Sequence, residues 1–144
     1  MVKTERIQAE AFQPSPGSEL LIGSSAWFIP GLGHLLLRKW NRAILMGGAV
    51  WLCFIIGLAM GGHMFDLSAS EGSWWVLKIP PVIGNFGMGA LYIVSWLIGF
   101  GFRDDPQQAA RATYEYGNIL LIVAGLLNYL NMLDAYDIAA RRKP

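Results

Sequence analysis

Residues 43–62 run for twenty positions without a charge, and twenty residues of α-helix span about 30 Å, the hydrocarbon thickness of a bilayer. A helix that is apolar on every side has no place on the surface of a small soluble domain. A second uncharged run, 82–102, matches it in length. A third candidate span, 117–136, is less apolar, with Asn128, Asn131 and the charged Asp134 inside it and Asp137 just beyond. The hydrophobic fraction of 54% and charged fraction of 15%, against about 25% charged in soluble domains, agree with this clustering. The six Trp and five Tyr are of the kind that gathers where hydrocarbon meets water. The class expected is an all-α integral membrane bundle.

Residues 20–37 are also hydrophobic for nearly a span length, but Pro30, Gly31 and Gly33 fall in the middle, where a helix loses a backbone bond. Two geometries follow. Either the segment is an N-terminal re-entrant or interfacial helical hairpin beside three transmembrane helices, or it is a kinked span and the protein has four. Broken backbone at depth must be covered by other helices. The expected layout is a disordered polar tail over 1–18, one transmembrane domain over 19–138 and a basic tail over 139–144. Within the domain, 19–37 is a broken helix and 43–62, 82–102 and 117–136 are spans. A cleavable leader fits poorly, because Glu5, Glu10 and Glu19 precede the apolar core, although Ser24-Ser25-Ala26 loosely imitates a cleavage site.

Cations separate the two geometries, since Lys and Arg are enriched on the cytoplasmic side. With three spans and a hairpin, Lys3, Arg6, Arg38, Lys39, Arg42, Arg103 and Arg111 face Lys78, Arg141, Arg142 and Lys143, seven against four. With four spans the count is six against five, which decides nothing. Three spans with the N-terminus inside are therefore expected, at the cost of a basic tail on the outside.

The connections carry local signals. Ser68 and Glu71 have capping-box spacing ahead of Trp74 and Trp75, with Pro80-Pro81 after them, which predicts a short interfacial helix. Asp104-Asp105-Pro106 is a helix start that predicts a polar helix over 106–116. Gly57 and Gly61 form a GxxxG pair that permits close helix contact.

Several chemistries are excluded. A net charge of +1 with scattered cations offers no nucleic-acid surface. Cys53 is the single cysteine, so disulfide and cysteine-metal frameworks are out and it reads as a core thiol. Gly31-Leu32-Gly33 lacks the third glycine of a dinucleotide fingerprint, and no Walker lysine follows. Of the two histidines, His34 and His63, only His63 has a carboxylate at ligand spacing, Asp66. A metal site wants three or four ligands, so no metal and no cofactor is expected, and without an acid-base pair no enzyme.

Two groups of residues remain as candidates. Pro30, Gly31, Gly33 and His34 with Arg38, Lys39 and Arg42 read first as a turn that lets helices pack, and second as a lipid-headgroup or partner contact. Asn128, Asn131, Asp134 and Asp137 recur every third residue and draw a slowly rotating polar face, which serves either as interhelical glue or as a pore lining.

Pro30-Gly31-Leu32-Gly33-His34, followed by Arg38-Lys39-Trp40-Asn41-Arg42-Ala43, resembles the Pro-Gly-Leu-Gly-His/Gln motif of small bacterial membrane proteins related to the two-transmembrane-helix domain. Where an aromatic pair and a glycine usually follow the histidine, Leu35-Leu36-Leu37-Arg38 stand here. The end, from Tyr114-Glu115-Tyr116-Gly117-Asn118 through Ala124-Gly125-Leu126-Leu127-Asn128 to Leu133-Asp134-Ala135-Tyr136-Asp137-Ile138-Ala139, is similar to the C-terminal signature of an uncharacterised member of that group. The resemblance implies a multi-pass protein of the bacterial inner membrane, without an assigned activity. It also implies that the opening motif and residues 134–137 belong to one unit, at odds with their lying on opposite sides of a three-span protein. The function expected is non-enzymatic, through contacts with membrane lipids, other membrane proteins or itself, as a small subunit or assembly factor. The alternative is a small oligomeric transporter or ion-conducting protein lined by the polar face of the last helix.

Overall fold

A computed structural model of the 144-residue chain describes residues 17–66, 75–103 and 105–142. Regular structure among them is helical. The predicted capping box at Ser68 and Glu71 lies outside the described residues. Helix α1 covers Ser18–Phe28 and α2 Leu32–Leu36. Helix α3 covers Trp40–Ala59 and contains a π-helical turn at Ala43–Gly47. Then come α4 over Trp75–Phe86, α5 over Ala90–Ile98, the single turn α6 over Pro106–Ala109 and α7 over Tyr114–Ala139. Two helices, α3 and α7, are long and apolar enough to cross a membrane, or up to three if the bent pair α4–α5 counts as one span.

Helix α7, at 26 residues about 39 Å long, is the mast on which the rest is hung. Helix α3 lies antiparallel to it: Arg42 reaches Asp134 at one end, and at the other the Gly57 and Gly62 backbone meets Gly117. Only 22% of the α3 span is buried inside the molecule, so Leu52, Ile55 and their neighbours face outward.

The remaining helices fold back halfway along α7. Helix α1 passes Tyr136 at Gly23 and ends at Asn128. It stops because the residue before a proline is pushed out of the helical region: Ile29 is extended, at φ −122° and ψ 114°. Gly31, at φ 92°, then reverses the chain, a conformation that favours glycine. Helix α2 returns between α1 and α7, where a Cβ on Gly33 would meet Ala26, Ala135 and the Ile22 carbonyl. Residues 18–36 thus start and finish at the Asp134 end of the molecule.

The pair α4–α5 does the same from the opposite end. Gly84 packs on Ile122 and Gly87 on Gly125 and Tyr129, so α4 runs parallel to α7 until the break at residues 87–89. Helix α5 turns away by 108° and leads to Gly101, whose carbonyl accepts from the Met64 backbone N–H near the Gly117 end. The run 82–102 is therefore not one straight helix. The two turns touch, for a Cβ on Gly89 would strike the Trp27 carbonyl oxygen.

Three local expectations change. Pro80 and Pro81 lie inside α4 instead of ending an element; the bonds they forgo belong to its first, outward-facing turns at Val76 and Leu77. The helix after Asp105 ends at Ala109, although Asp105 caps it as expected by accepting from the Gln107 N–H at 2.9 Å. Gly61 is not the second half of a helix-contact pair; it lies beyond the end of α3 with a positive φ, and the contact glycines are Gly57 and Gly62 against Gly117.

The interior combines Val50, Phe54, Met64, Met88, Leu121 and Ala124 around α3 and α7 with a small-residue layer of Ile22, Ala26, Ala135 and Ala139 around α1. Where α4 crosses α7 the approach is backbone on backbone, since a Cβ on Gly125 would collide with the Gly84 carbonyl. Gly125→Ala is expected to destabilise the protein by about 1–3 kcal/mol, the usual range for overpacking. Gly48→Ala, whose Cβ meets nothing within 4 Å, is expected to be neutral or to gain up to about 1 kcal/mol in helix propensity. Thermal unfolding midpoints of the two variants in one detergent check the contrast.

Candidate functional site

A helix ends with four carbonyls that lack intrahelical partners, and inside an apolar body each costs free energy unless paired. Trp27 lies in the last turn of α1, and Gly87 follows the last residue of α4. The fully buried Asn128 amide donates to both carbonyl oxygens, at 2.8 Å to Trp27 and 2.9 Å to Gly87. One side chain near the middle of α7 thus closes two interrupted helices that arrive from opposite ends. Asn131, also fully buried, donates to the Asn128 oxygen at 3.5 Å and orients it.

Six residues further along α7, or about 9 Å, Asp134 takes two donors. His34 Nε2 donates to Asp134 Oδ2 at 3.0 Å and Arg42 Nη1 to the same oxygen at 3.2 Å. His34 is fully buried, while the Arg42 side chain is 42% exposed. His34 Nδ1 is buried without a hydrogen-bond partner. Asp137, the last member of the polar face, sits 4.0 Å from Arg142. The opening motif and residues 134–137 are therefore one unit, a hundred residues apart in the chain.

The turn itself packs by backbone contact. A Cβ on Gly31 would lie 3.0 Å from the Ala43 carbonyl oxygen, and one on Gly47 2.9 Å from Gly31 Cα. Pro30 and Gly31 thus fill the side of α3 at its π turn, and Gly33 brings His34 to α7. Arg38 and Lys39 remain exposed in the link to α3. Of the candidates, Pro30, Gly31, Gly33 and His34 join Asn128, Asn131 and Asp134 in one continuous interior, Arg42 reaches Asp134 from its rim, and Arg38 and Lys39 stay exposed at its edge.

Sequence reasoning misses three participants. Asn85 is fully buried and neither side-chain atom has a partner; its only signal is an amide inside an uncharged run. Asn118 accepts from the His63 N–H at 2.6 Å and ties the loop after α3 to α7. A cavity of about 420 Å³ at that end is lined by Leu58, His63, Phe100, Arg103, Gln108 and Tyr114. His63 stands edge-on to Phe65 and Phe102. Among the described residues no group of three His, Cys, Asp or Glu is placed to share a metal.

Asn128→Leu leaves two helix-end carbonyls unpaired. At about 0.6 kcal/mol per bond in a membrane and about 1–3 kcal/mol per abandoned buried group, the loss expected over the two carbonyls is about 1–6 kcal/mol. Asn128→Asp, the same shape without the donors, is expected to be at least as damaging. Denaturation of both variants in mixed micelles checks this, and an Asn128→Asp protein as stable as the parent contradicts the double cap.

No curated protein and no solved structure matches the chain. One family model does, over residues 21–144, which takes in both turns, the Asn128 cap and the His34–Asp134–Arg42 cluster. The chain belongs to that family, DUF6677, described as a family of unknown function.

Proposed function

We propose that the chain is a multi-pass protein of the bacterial inner membrane with two spans, α3 and α7, and two re-entrant hairpins, α1–α2 and α4–α5, that enter from opposite faces and meet at Asn128. It works through lipid or protein contacts at its cationic end, as a small subunit or assembly factor without chemistry of its own. The observation that carries this reading is the joint position of residues 18–36 and 137–142 at one end of α7. Residues 17 and 142 then share a face, and Arg141 and Arg142 join Arg38, Lys39 and Arg42 on it, with Lys78, Arg103 and Arg111 opposite among the described residues. This excess of cations, five against three, supports a cytoplasmic assignment for that face. The 11 residues of α1 are about 16 Å long, half a hydrocarbon core. The broken backbone at that depth is covered by protein, as a bilayer demands.

A second reading, an ion-conducting oligomer, is favoured by the buried atoms without partners, Asn131 Oδ1, His34 Nδ1 and the Asn85 amide. Against it, Asn128 and Asp134 are occupied in joining helices, and glycine contacts fill the middle of the monomer. Proteoliposomes whose ion flux is unchanged by Asp134→Asn, or no greater than that of empty vesicles, discard it.

Single cysteines at Ser18, Asn41, Arg111 and Arg142, introduced into a Cys53→Ser chain, decide the topology. Two spans with two hairpins label 18, 41 and 142 from one side and 111 from the other. Three spans pair 111 with 18 and 41, and four spans pair 41 with 111; either pattern overturns the proposal.

A further inference from the structure

We propose that the cationic end of the molecule holds one anionic glycerophospholipid, its phosphate over Arg38, Lys39 and Arg42 and an acyl chain in the groove between α3 and α7. This rests on the membrane function proposed above and names the partner. Two cavities share Arg42. One, of about 350 Å³, is lined by Arg38, Lys39, Trp40, Asn41 and Arg42 and has no carboxylate. The other, of about 480 Å³, is lined by Leu45, Met46, Leu130 and Leu133 together with Arg42, Asp134 and Asp137. Leu45, Leu130 and Leu133 are all exposed. A cationic mouth that shares Arg42 with a leucine-lined trough suits a headgroup joined to a chain.

Charge selects the headgroup. Asp134 is engaged by His34 and Arg42, and Asp137 stands near Arg142. Arg38 and Lys39 have no carboxylate partner among the described residues. The positive excess therefore lies in the mouth, and a basic pocket between helices on the cytoplasmic side suits an anionic headgroup over a zwitterionic one. Because Asp134 holds the Arg42 guanidinium at the junction of the two cavities, that cation is oriented before a ligand arrives, which lowers the ordering cost of binding.

Two backbone irregularities fall at the same place. Arg38 has φ 57°, a left-handed conformation uncommon outside glycine. It is held there by Arg38 N–H donating to Leu35 O and Lys39 N–H to His34 O, both at 2.9 Å. Five residues on, α3 opens into its π turn at Ala43–Gly47, a form frequent at functional sites. The irregular link brings Arg38 and Lys39 into one cavity with Arg42 of the next helix.

The test titrates the purified full-length protein in detergent with phosphatidylglycerol, and separately with phosphatidylcholine of the same chains, under native mass spectrometry. One phosphatidylglycerol is retained per chain, at least tenfold tighter than phosphatidylcholine. Arg38→Asn with Lys39→Gln, two exposed positions with asparagine suited to the left-handed backbone, lowers the phosphatidylglycerol affinity tenfold or more. Leu133→Trp, which fills the trough, lowers its occupancy, whereas Leu52→Trp on an outward face of α3 leaves it unchanged. Equal retention of the two lipids, or full phosphatidylglycerol binding by the double variant, overturns the site. If the labelling pattern above holds while the lipids tie, only this site falls; if the labelling fails, the membrane arrangement falls with it.

Discussion

Two helices that stop halfway along a neighbour leave their last carbonyls without intrahelical partners, and everything distinctive about this molecule depends on how those groups are satisfied. The Asn128 amide does it for both at once, bonding Trp27 O and Gly87 O. A single donor pair suits this task because the turns approach α7 from opposite ends and arrive at the same residue. Without it each turn would need its own polar partner at depth, and the neighbouring uncharged helices hold few.

The second constraint is space. Helices α1 and α4 reach Asn128 only if their backbones lie close to α7 and to each other, and the chain meets that need with glycines at the crossings: Gly33 between α1 and α7, Gly125 beneath α4, and Gly89 against Trp27. Close approach places the carbonyls within reach of Asn128, and the bond in turn holds the approach. The same economy governs the cationic end, where Gly31 against Gly47 seats the turn on α3 and leaves Arg42 within 3.2 Å of Asp134. Position along α7 thereby sorts the polar face by role: Asn128 joins helices, Asn131 donates to Asn128, Asp134 anchors the first turn, and Asp137 in the last turn of the helix stands 4.0 Å from Arg142 beyond its end.

Much of this is legible from the chain. Uncharged runs announce the long helices, Pro30-Gly31 announces the first reversal, and an asparagine inside an apolar run points to a helix contact. The second reversal is hidden because residues 87–89 read Gly-Met-Gly within a run that is long and apolar enough to pass as one helix. Glycine marks a close approach as readily as a break, and only the partner, here Gly125 and Trp27, decides which. The His34–Asp134 bond is equally silent, since spacing along a chain says nothing of residues a hundred positions apart. A membrane count that reads residues 82–102 as one straight span puts residues 141–143 on the side opposite Arg38, Lys39 and Arg42.

The most direct measurement is bridging of the two turns. In a Cys53→Ser chain, Trp27→Cys and Phe86→Cys replace rings whose centroids lie 5.1 Å apart, and a short dithiol-bridging fluorophore applied to membranes reports whether the thiols are neighbours. The account predicts intramolecular bridging in the monomer, absent from either single variant. Both thiols reacting singly without bridging would contradict it, because α1 and α4 would then not meet at Asn128.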